Sequence, residues 1–185
     1  MQQNREPLGR PRASLDIHYF AYGSNLCLPR LRSRAPGVEA NGAAVLHGFG
    51  LRWHKRSSDG SGKCSIVQSA ASSALVHGAL YLMPLPAKRL LDQVEGLGQG
   101  YEETTINVMS SRGRVSARTY VAAASHVDDS LRPYSWYRDL VVSGALAHQL
   151  PAEYVNSLQR VGVWADPDLA RAESHLASMP CRGSA

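Results

Sequence analysis

A sharp corner at Gly23-Ser24-Asn25 is the first stretch of the sequence that could do chemistry. It directly follows an alternating run, residues 17–22, that is typical of a β-strand. A glycine turn at a strand end often leaves two or three backbone N–H groups without acceptors, and these form a small cup for a carboxylate or an oxyanion. Glycine also permits a positive φ and the close approach of a ligand. An ordinary tight turn has the same pattern, so both interpretations stay open.

The second candidate is a single carboxylate, Glu95, which ends a helix predicted from Pro86 to Val94. Carbonyl groups at a helix C-terminus disfavour an anion by a few tenths to about 1 kcal/mol, so a glutamate there leans toward its protonated form. Burial would strengthen that tendency, which suits a group that takes and returns a proton near neutral pH. A solvated surface glutamate is the alternative interpretation.

Other catalytic patterns fail at defining positions. A phosphate-binding loop, G-x-x-x-x-G-K-[ST], would have Ser57 in place of its first glycine and Cys64 in place of its final hydroxyl residue. A serine nucleophile elbow, G-x-S-x-G, is broken because Leu26 lies two residues after Ser24. The seven histidines show neither H-E-x-x-H spacing nor close pairing. We therefore expect neither a serine hydrolase nor a catalytic metal.

Hydrophobic periodicity predicts the elements that must position the two candidates. Predicted strands cover residues 17–22, 45–53, 65–69, 75–83, 102–109 and 114–123. Predicted helices are a short one entered through Pro29, the one that Glu95 ends, and two that cover residues 134–149 and 151–160. Glycines 48 and 50 predict a bulge or bend within the second strand, and residues 54–64 a polar loop. Short connections favour antiparallel pairing, so we predict an α+β fold in which helices pack on a curved sheet.

Length and composition indicate one domain. With 185 residues and 44% hydrophobic content, the chain can bury one core. We expect residues 1–15 to form a flexible extension, residues 16–162 the domain, and residues 163–185 a loosely held tail. The net charge of +5 comes mainly from arginines spread along the chain, which favours a general compositional bias over a nucleic-acid surface.

Cysteine usage and hydropathy indicate the compartment. Three cysteines without CxxC spacing argue against a disulfide framework and a zinc knuckle. The first fifteen residues contain no apolar signal-peptide core, and no run approaches the roughly 20 apolar residues of a membrane span. We expect a soluble, cytoplasmic protein.

Six fragments in order carry a family resemblance. They are YFAYGSNL from Tyr19, LHGFGLRW from Leu46, VHGALYLM from Val76, LLDQVEGLGQGYE from Leu90, ARTYVA from Ala117 and SWYRDLVVSGALAHQLPAEYVNSL from Ser135. Together they resemble the gamma-glutamylcyclotransferase family, including the AIG2-like proteins, over roughly residues 17–160. The corner reads YGSN, unlike the YGSL-type version of the glutathione-specific ChaC relatives.

The resemblance implies a small mixed β-barrel with flanking helices, and a reaction without cofactor or metal. A γ-glutamyl amide cyclises to 5-oxoproline and releases an amine or amino acid. Glu95 falls on the family's catalytic glutamate. The residues that fall on the family's substrate-binding positions are Tyr19, Phe20, Ala21, Tyr22, Gly23, Ser24 and Tyr137.

The identity of the departing half stays open at this point. A gamma-glutamylamine cyclotransferase acting on a lysine-type amine, a catalytically silent module that binds an acidic metabolite, and a nucleic-acid binder are the alternatives. The polar segment His54–Lys63 could close over the departing half, with Arg56 or Lys63 meeting a carboxylate. We expect a small-molecule γ-glutamyl substrate as partner, no nucleic acid or membrane, and a monomer or homodimer.

Overall fold

A closed five-stranded β-barrel forms the centre of the protein. The computed structural model describes residues 16–177, so the predicted extension, 1–15, and the last part of the predicted tail, 178–185, lie outside it. The described residues form seven strands, β1 Ile17–Ala21, β2 Glu39–His47, β3 Phe49–Arg56, β4 Gly62–Gln68, β5 Leu75–Met83, β6 Tyr101–Ser110 and β7 Gly113–Ala122. Five of these strands form the barrel, in the order β1-β5-β2-β6-β7. The same residues form five α-helices, α1 Leu28–Arg34, α2 Leu85–Glu95, α3 Ser135–Ala147, α4 Ala152–Gln159 and α5 Leu169–Ala177.

The barrel contains both antiparallel and parallel strand pairs. β1 pairs antiparallel with β5 along its whole length, from Ile17 opposite Met83 to Ala21 opposite Ala79. On its other side β1 closes the barrel by a parallel contact with β7, where Tyr19 lies opposite Arg118. The remaining barrel pairs are antiparallel. The predicted α+β class with a small mixed barrel is therefore confirmed.

The hairpin β3–β4 lies outside the barrel, and here one strand prediction was wrong. Residues 45–53 are not one bent strand, because β2 ends at His47 and β3 begins at Phe49. Gly48 makes the turn between them with φ of +76°, a left-handed conformation that favours glycine. β3 then pairs with β4 from Phe49 opposite Gln68 to Arg56 opposite Gly62, so the predicted loop at 54–64 shortens to residues 57–61.

Helices α2 and α3 flank the barrel and contain the predicted site residues Glu95 and Tyr137. α2 begins after Pro84 and ends at Glu95, because Gly96 adopts a left-handed conformation with φ of +62°. α3 packs against the 3₁₀ turn Ser24–Leu26, which follows β1. Within residues 16–177 no helix has both the length and the apolar character required to cross a bilayer.

Residues 163–177 contact the domain, which differs from the loosely held tail that the sequence predicts. Asp166 is buried, and its carboxylate accepts hydrogen bonds from Trp136 Nε1 at 2.7 Å and from Arg171 Nε at 2.8 Å. The imidazole of His175 stacks on the indole of Trp136 with ring centroids 3.9 Å apart. The sequence pattern of α5 did not reveal these contacts because they are polar and aromatic.

Gly144 allows α3 to lie directly against the turn that follows β1. A Cβ at position 144 would lie 2.5 Å from the backbone carbon of Leu26 and 2.6 Å from the nitrogen of Cys27. Gly144→Ala should lower the free energy of unfolding by about 1–3 kcal/mol, even though alanine is the better helix former. Chemical denaturation measures this loss. Ala147→Ser, at the exposed end of α3, is the control, and an unchanged midpoint for Gly144→Ala would contradict the prediction.

Candidate active site

The two predicted elements meet at one cavity, here called the inner cavity. Its lining residues are Tyr19, Tyr22, Gly23, Ser24, Asn25, Cys64, Glu95, Tyr101, Tyr120 and Tyr137. The corner and the carboxylate therefore face the same space although 70 residues separate Asn25 from Glu95. Tyr137, predicted from the resemblance, lies in the same lining.

The corner is a single 3₁₀ turn, and its first backbone hydrogen bond runs from the N–H of Leu26 to the carbonyl of Gly23 at 2.9 Å. The preceding N–H groups, those of Gly23, Ser24 and Asn25, consequently make no hydrogen bond within the turn. Ser24 and Asn25 are nevertheless buried. The turn thus presents backbone donors at the wall of the inner cavity.

The expected reason for glycine at position 23 needs correction. Its φ is −109°, so no left-handed conformation is involved. A Cβ at this position would lie 3.1 Å from Cβ of Cys64 and 3.3 Å from the hydroxyl of Tyr137. Glycine is favoured here because the corner packs closely against these two side chains, which form the opposite wall.

Glu95 is oriented by side chains that the sequence analysis missed. Nδ2 of Asn25 donates to Oε1 of Glu95 at 2.9 Å, and Nη1 of Arg34 lies 3.3 Å from the same oxygen. Nη1 of Arg34 also donates to Oδ1 of Asn25 at 3.1 Å, which closes a three-membered network. Among residues 16–177 no donor contacts Oε2 of Glu95, so that oxygen is left for a bound molecule.

The environment of Glu95 differs from the one that its helix position predicts. Only 13% of its side chain is exposed, so the alternative of a solvated surface glutamate is wrong. The end of α2 alone would disfavour an anion, whereas Asn25 and Arg34 bring two donors to one oxygen. Asn25 was visible as the last residue of the corner, but its side-chain role was not apparent from the sequence.

Four tyrosines complete the inner wall and are fixed by hydrogen bonds. Tyr101 donates to the carbonyl of Cys64 at 2.8 Å, and the hydroxyl of Tyr137 accepts from the N–H of Cys64 at 3.1 Å. Tyr22 donates to the carbonyl of Tyr120. Burial raises the pKa of each of these phenols well above its ordinary value, so all four are neutral. Burial likewise raises the pKa of the Cys64 thiol to about 12, which makes it a poor nucleophile.

Two predicted binding residues do not reach the inner cavity. Phe20 is fully buried and Ala21 is 1% exposed, and neither lines the cavity wall. The backbone carbonyl of Phe20 accepts a hydrogen bond from Thr119 Oγ1 at 2.8 Å, which belongs to the barrel. Tyr19 does reach the cavity, and its hydroxyl accepts a hydrogen bond from Asn25 Nδ2 at 2.9 Å. Alternation along β1 explains part of this division, since Tyr19 and Phe20 lie on opposite faces.

A second cavity, here called the outer cavity, adjoins the inner one. Both cavities are lined by Ser24, Glu95, Tyr101 and Tyr137. The remaining lining residues of the outer cavity are Arg30, Arg34, Lys55, Ser57, Lys63 and Val94. Of the two cations predicted to meet a carboxylate, Lys63 lies here, whereas Arg56 pairs with Asp128 at 3.2 Å and does not line this space.

The chain shares sequence and architecture with known proteins. Residues 75–158 match the AIG2-like family. Mouse gamma-glutamylcyclotransferase is 30% identical in an alignment over 156 residues, with 77% of this chain and 77% of the mouse protein covered. A solved human structure described as an uncharacterized protein has a TM-score of 0.75 at 25% identity, covering 88% of this chain and 98% of that one. A structure described as gamma-glutamyl cyclotransferase has a TM-score of 0.74 at 24% identity, covering 86% and 99%.

The buried tyrosines predict how the protein responds to alkaline pH. All eight have a pKa raised above the ordinary value of 10.0, chiefly by burial. The folded state therefore keeps phenol protons that the unfolded chain releases, and the free energy of unfolding should fall as pH rises above about 10. Tyrosinate absorbance should appear together with loss of circular dichroism.

The same titration in guanidinium chloride is the control, because all phenols of the unfolded chain should ionise near pH 10. Ionisation of most tyrosines near that pH, with the circular dichroism of the folded protein unchanged, would contradict the prediction.

Proposed function

The chain belongs to the gamma-glutamylcyclotransferase family, and from this premise we propose that it cyclises γ-glutamyl derivatives of amino acids to 5-oxoproline, with Glu95 moving the protons. The observation that carries the proposal is that Glu95 and the corner line one inner cavity. A γ-glutamyl group bound there has an acid–base group on one side and backbone donors on the other.

The reaction needs orientation more than an external nucleophile. The α-amine of the substrate attacks its own side-chain carbonyl, a ring C–N bond forms, and the original amide C–N bond breaks. Holding the amine and carbonyl together supplies several kcal/mol of the barrier, roughly 7–11 in the best intramolecular cases. The rigid tyrosine wall suits this task, since its hydroxyls are already held by Cys64 and Tyr120.

Glu95 carries the protons that the ring closure displaces. The α-ammonium must lose a proton before it can attack, and the new ring nitrogen loses another as the lactam forms. Both protons end on the departing nitrogen, which leaves as an ammonium group. Oε1 of Glu95 is occupied by Asn25 and Arg34, so Oε2 is the oxygen that accepts and returns protons in this proposal.

The corner stabilises the oxygen of the tetrahedral intermediate. Backbone N–H groups of Gly23 and Ser24 point to no acceptor within their own turn, and both residues line the inner cavity. Such preorganised donors typically contribute about 10²–10³ in rate when each is directed at a developing oxyanion. Tyr137, whose hydroxyl lies against the corner, contacts the bound γ-glutamyl group.

Glu95→Gln tests the proton transfer. The amide keeps the size of the side chain but cannot take a proton, so release of 5-oxoproline from γ-glutamyl dipeptides should fall about 10²–10⁴-fold. Thermal unfolding checks that the variant is folded. Glu102→Gln, at an exposed position of β6, is the matched control. Turnover at the wild-type rate by a folded Glu95→Gln variant would remove Glu95 from the mechanism.

Asn25→Asp tests whether Asn25 orients Glu95. The substitution preserves the shape of the side chain but replaces the donor Nδ2 by a carboxylate oxygen. That oxygen would lie about as close to Oε1 of Glu95 as Nδ2 does, which is 2.9 Å. Losing that bond should lower kcat/KM about 10- to 100-fold. Because two adjacent carboxylates share a proton, the acid limb of the pH profile should also move to higher pH.

Asn156→Asp, an exposed change of the same chemistry on α4, is the control. A uniform loss of activity with an unshifted pH profile would indicate that Asn25 only stabilises the turn.

A further inference from the structure

Two pairs of like charges face the outer cavity. Arg30 and Arg34 are four residues apart on α1, so their side chains share one face of the helix. Lys55 and Lys63 lie directly opposite each other in the β3–β4 hairpin. Like charges at both kinds of position are destabilising, and the fold concentrates both pairs at one space.

Only two of these four cations have a carboxylate partner among residues 16–177. Arg34 pairs with Glu95 at 3.3 Å, and Lys63 pairs with Asp59 at 2.7 Å. Neither Arg30 nor Lys55 lies within salt-bridge distance of a carboxylate in that part of the chain. The outer cavity therefore has two cations that form no salt bridge within residues 16–177, although the carboxylate of Glu95 attracts both at longer range.

The side chains of Arg30 and Lys55 are both partly buried. Nε of Arg30 is buried without a hydrogen-bond partner in the described chain, and its Nη1 lies 3.5 Å from Nδ1 of His175. Burial, helped by the neighbouring Arg34, lowers the pKa of Arg30 to about 10. Nζ of Lys55 lies 4.7 Å from the ring centroid of Tyr101, and burial lowers the pKa of Lys55. An anion bound between Arg30 and Lys55 would offset the cost of burying their positive charges.

Because Glu95 lines both cavities, the proposed reaction requires the scissile amide bond to lie at their boundary. The γ-glutamyl half then occupies the inner cavity and the departing half the outer one. An alkylamine departing half carries no charge while it is bound as an amide. A neutral amino acid carries one carboxylate, and an acidic amino acid carries two.

Resting on the proposed function, we propose that the departing half is an acidic amino acid, whose two carboxylates are bound by Arg30 and Lys55. The preferred substrates are then γ-glutamyl dipeptides of the γ-glutamyl-glutamate or γ-glutamyl-aspartate type. A simple γ-glutamylamine leaves both cations unneutralised and reacts poorly.

The test compares γ-glutamyl-glutamate with γ-glutamyl-glutamine, which have the same shape and differ by one charge. The structure predicts that kcat/KM for 5-oxoproline release is about 10- to 100-fold higher for γ-glutamyl-glutamate, the range expected for a hydrogen-bonded charge. γ-Glutamyl-ethylamide should be the slowest of the three. Added salt should reduce the preference, because the outer cavity is open to solvent ions.

The variants Arg30→Gln and Lys55→Gln test whether these two side chains cause the preference for γ-glutamyl-glutamate. Each should reduce the ratio between the two dipeptides toward one, while Arg52→Gln, an exposed change on β3, leaves it unchanged. Lys55→Gln also keeps the test valid if the less exposed Arg30 variant fails to fold.

The outcomes separate the inference from the proposed function. Release of 5-oxoproline from all three compounds with no preference for γ-glutamyl-glutamate would overturn the inference and leave the proposed function standing. A preference that survives in both folded variants would overturn the role of Arg30 and Lys55. No 5-oxoproline from any of the compounds would overturn the proposed function, and the inference with it.

Discussion

The hydrogen bond from Asn25 to Glu95 is the interaction on which the rest of the site depends. It joins the turn after β1 to the last residue of α2, two segments separated by 70 residues in sequence. Arg34 contacts both members, so the acid is held by a network and not by one contact. Because the network uses only Oε1, it orients Glu95 and leaves Oε2 for the proton transfer that we propose. The same asparagine also donates to Tyr19, which ties the acid to the barrel wall.

The packing around this network explains the composition of the cavity wall. Gly144 lets α3 approach the turn, and Gly23 lets the turn approach Cys64 and Tyr137. The tyrosines there supply hydroxyls to backbone groups of neighbouring segments, so the wall is polar yet its hydrogen bonds are satisfied. Such a wall is rigid because moving one phenol would leave a buried partner without a hydrogen bond. A reaction that depends on holding a substrate folded gains most from this rigidity.

The two cavities divide recognition between them. The inner cavity is lined by neutral phenols and backbone donors, which suit a compact zwitterionic γ-glutamyl group. The outer cavity collects cations from α1 and from the β3–β4 hairpin, two elements outside the barrel. Glu95 lies between them and belongs to both. As proposed, the inner cavity binds the γ-glutamyl half, and the cations of the outer cavity favour an acidic departing half.

The sequence by itself determined the elements whose pattern is local. A short apolar run predicted β5 with its observed ends, and Gly113 predicted the hairpin β6–β7, because strand propensity and turn chemistry act over a few residues. The sequence pattern also placed Glu95 at the end of a helix stopped by glycine, whereas its catalytic role was predicted from the family resemblance. Only the tertiary structure decided that β2 and β3 are separate strands, that Phe20 faces away from the cavity, and that Asn25 and Arg34 hold the acid. These features depend on contacts between segments far apart in sequence, which local periodicity does not encode.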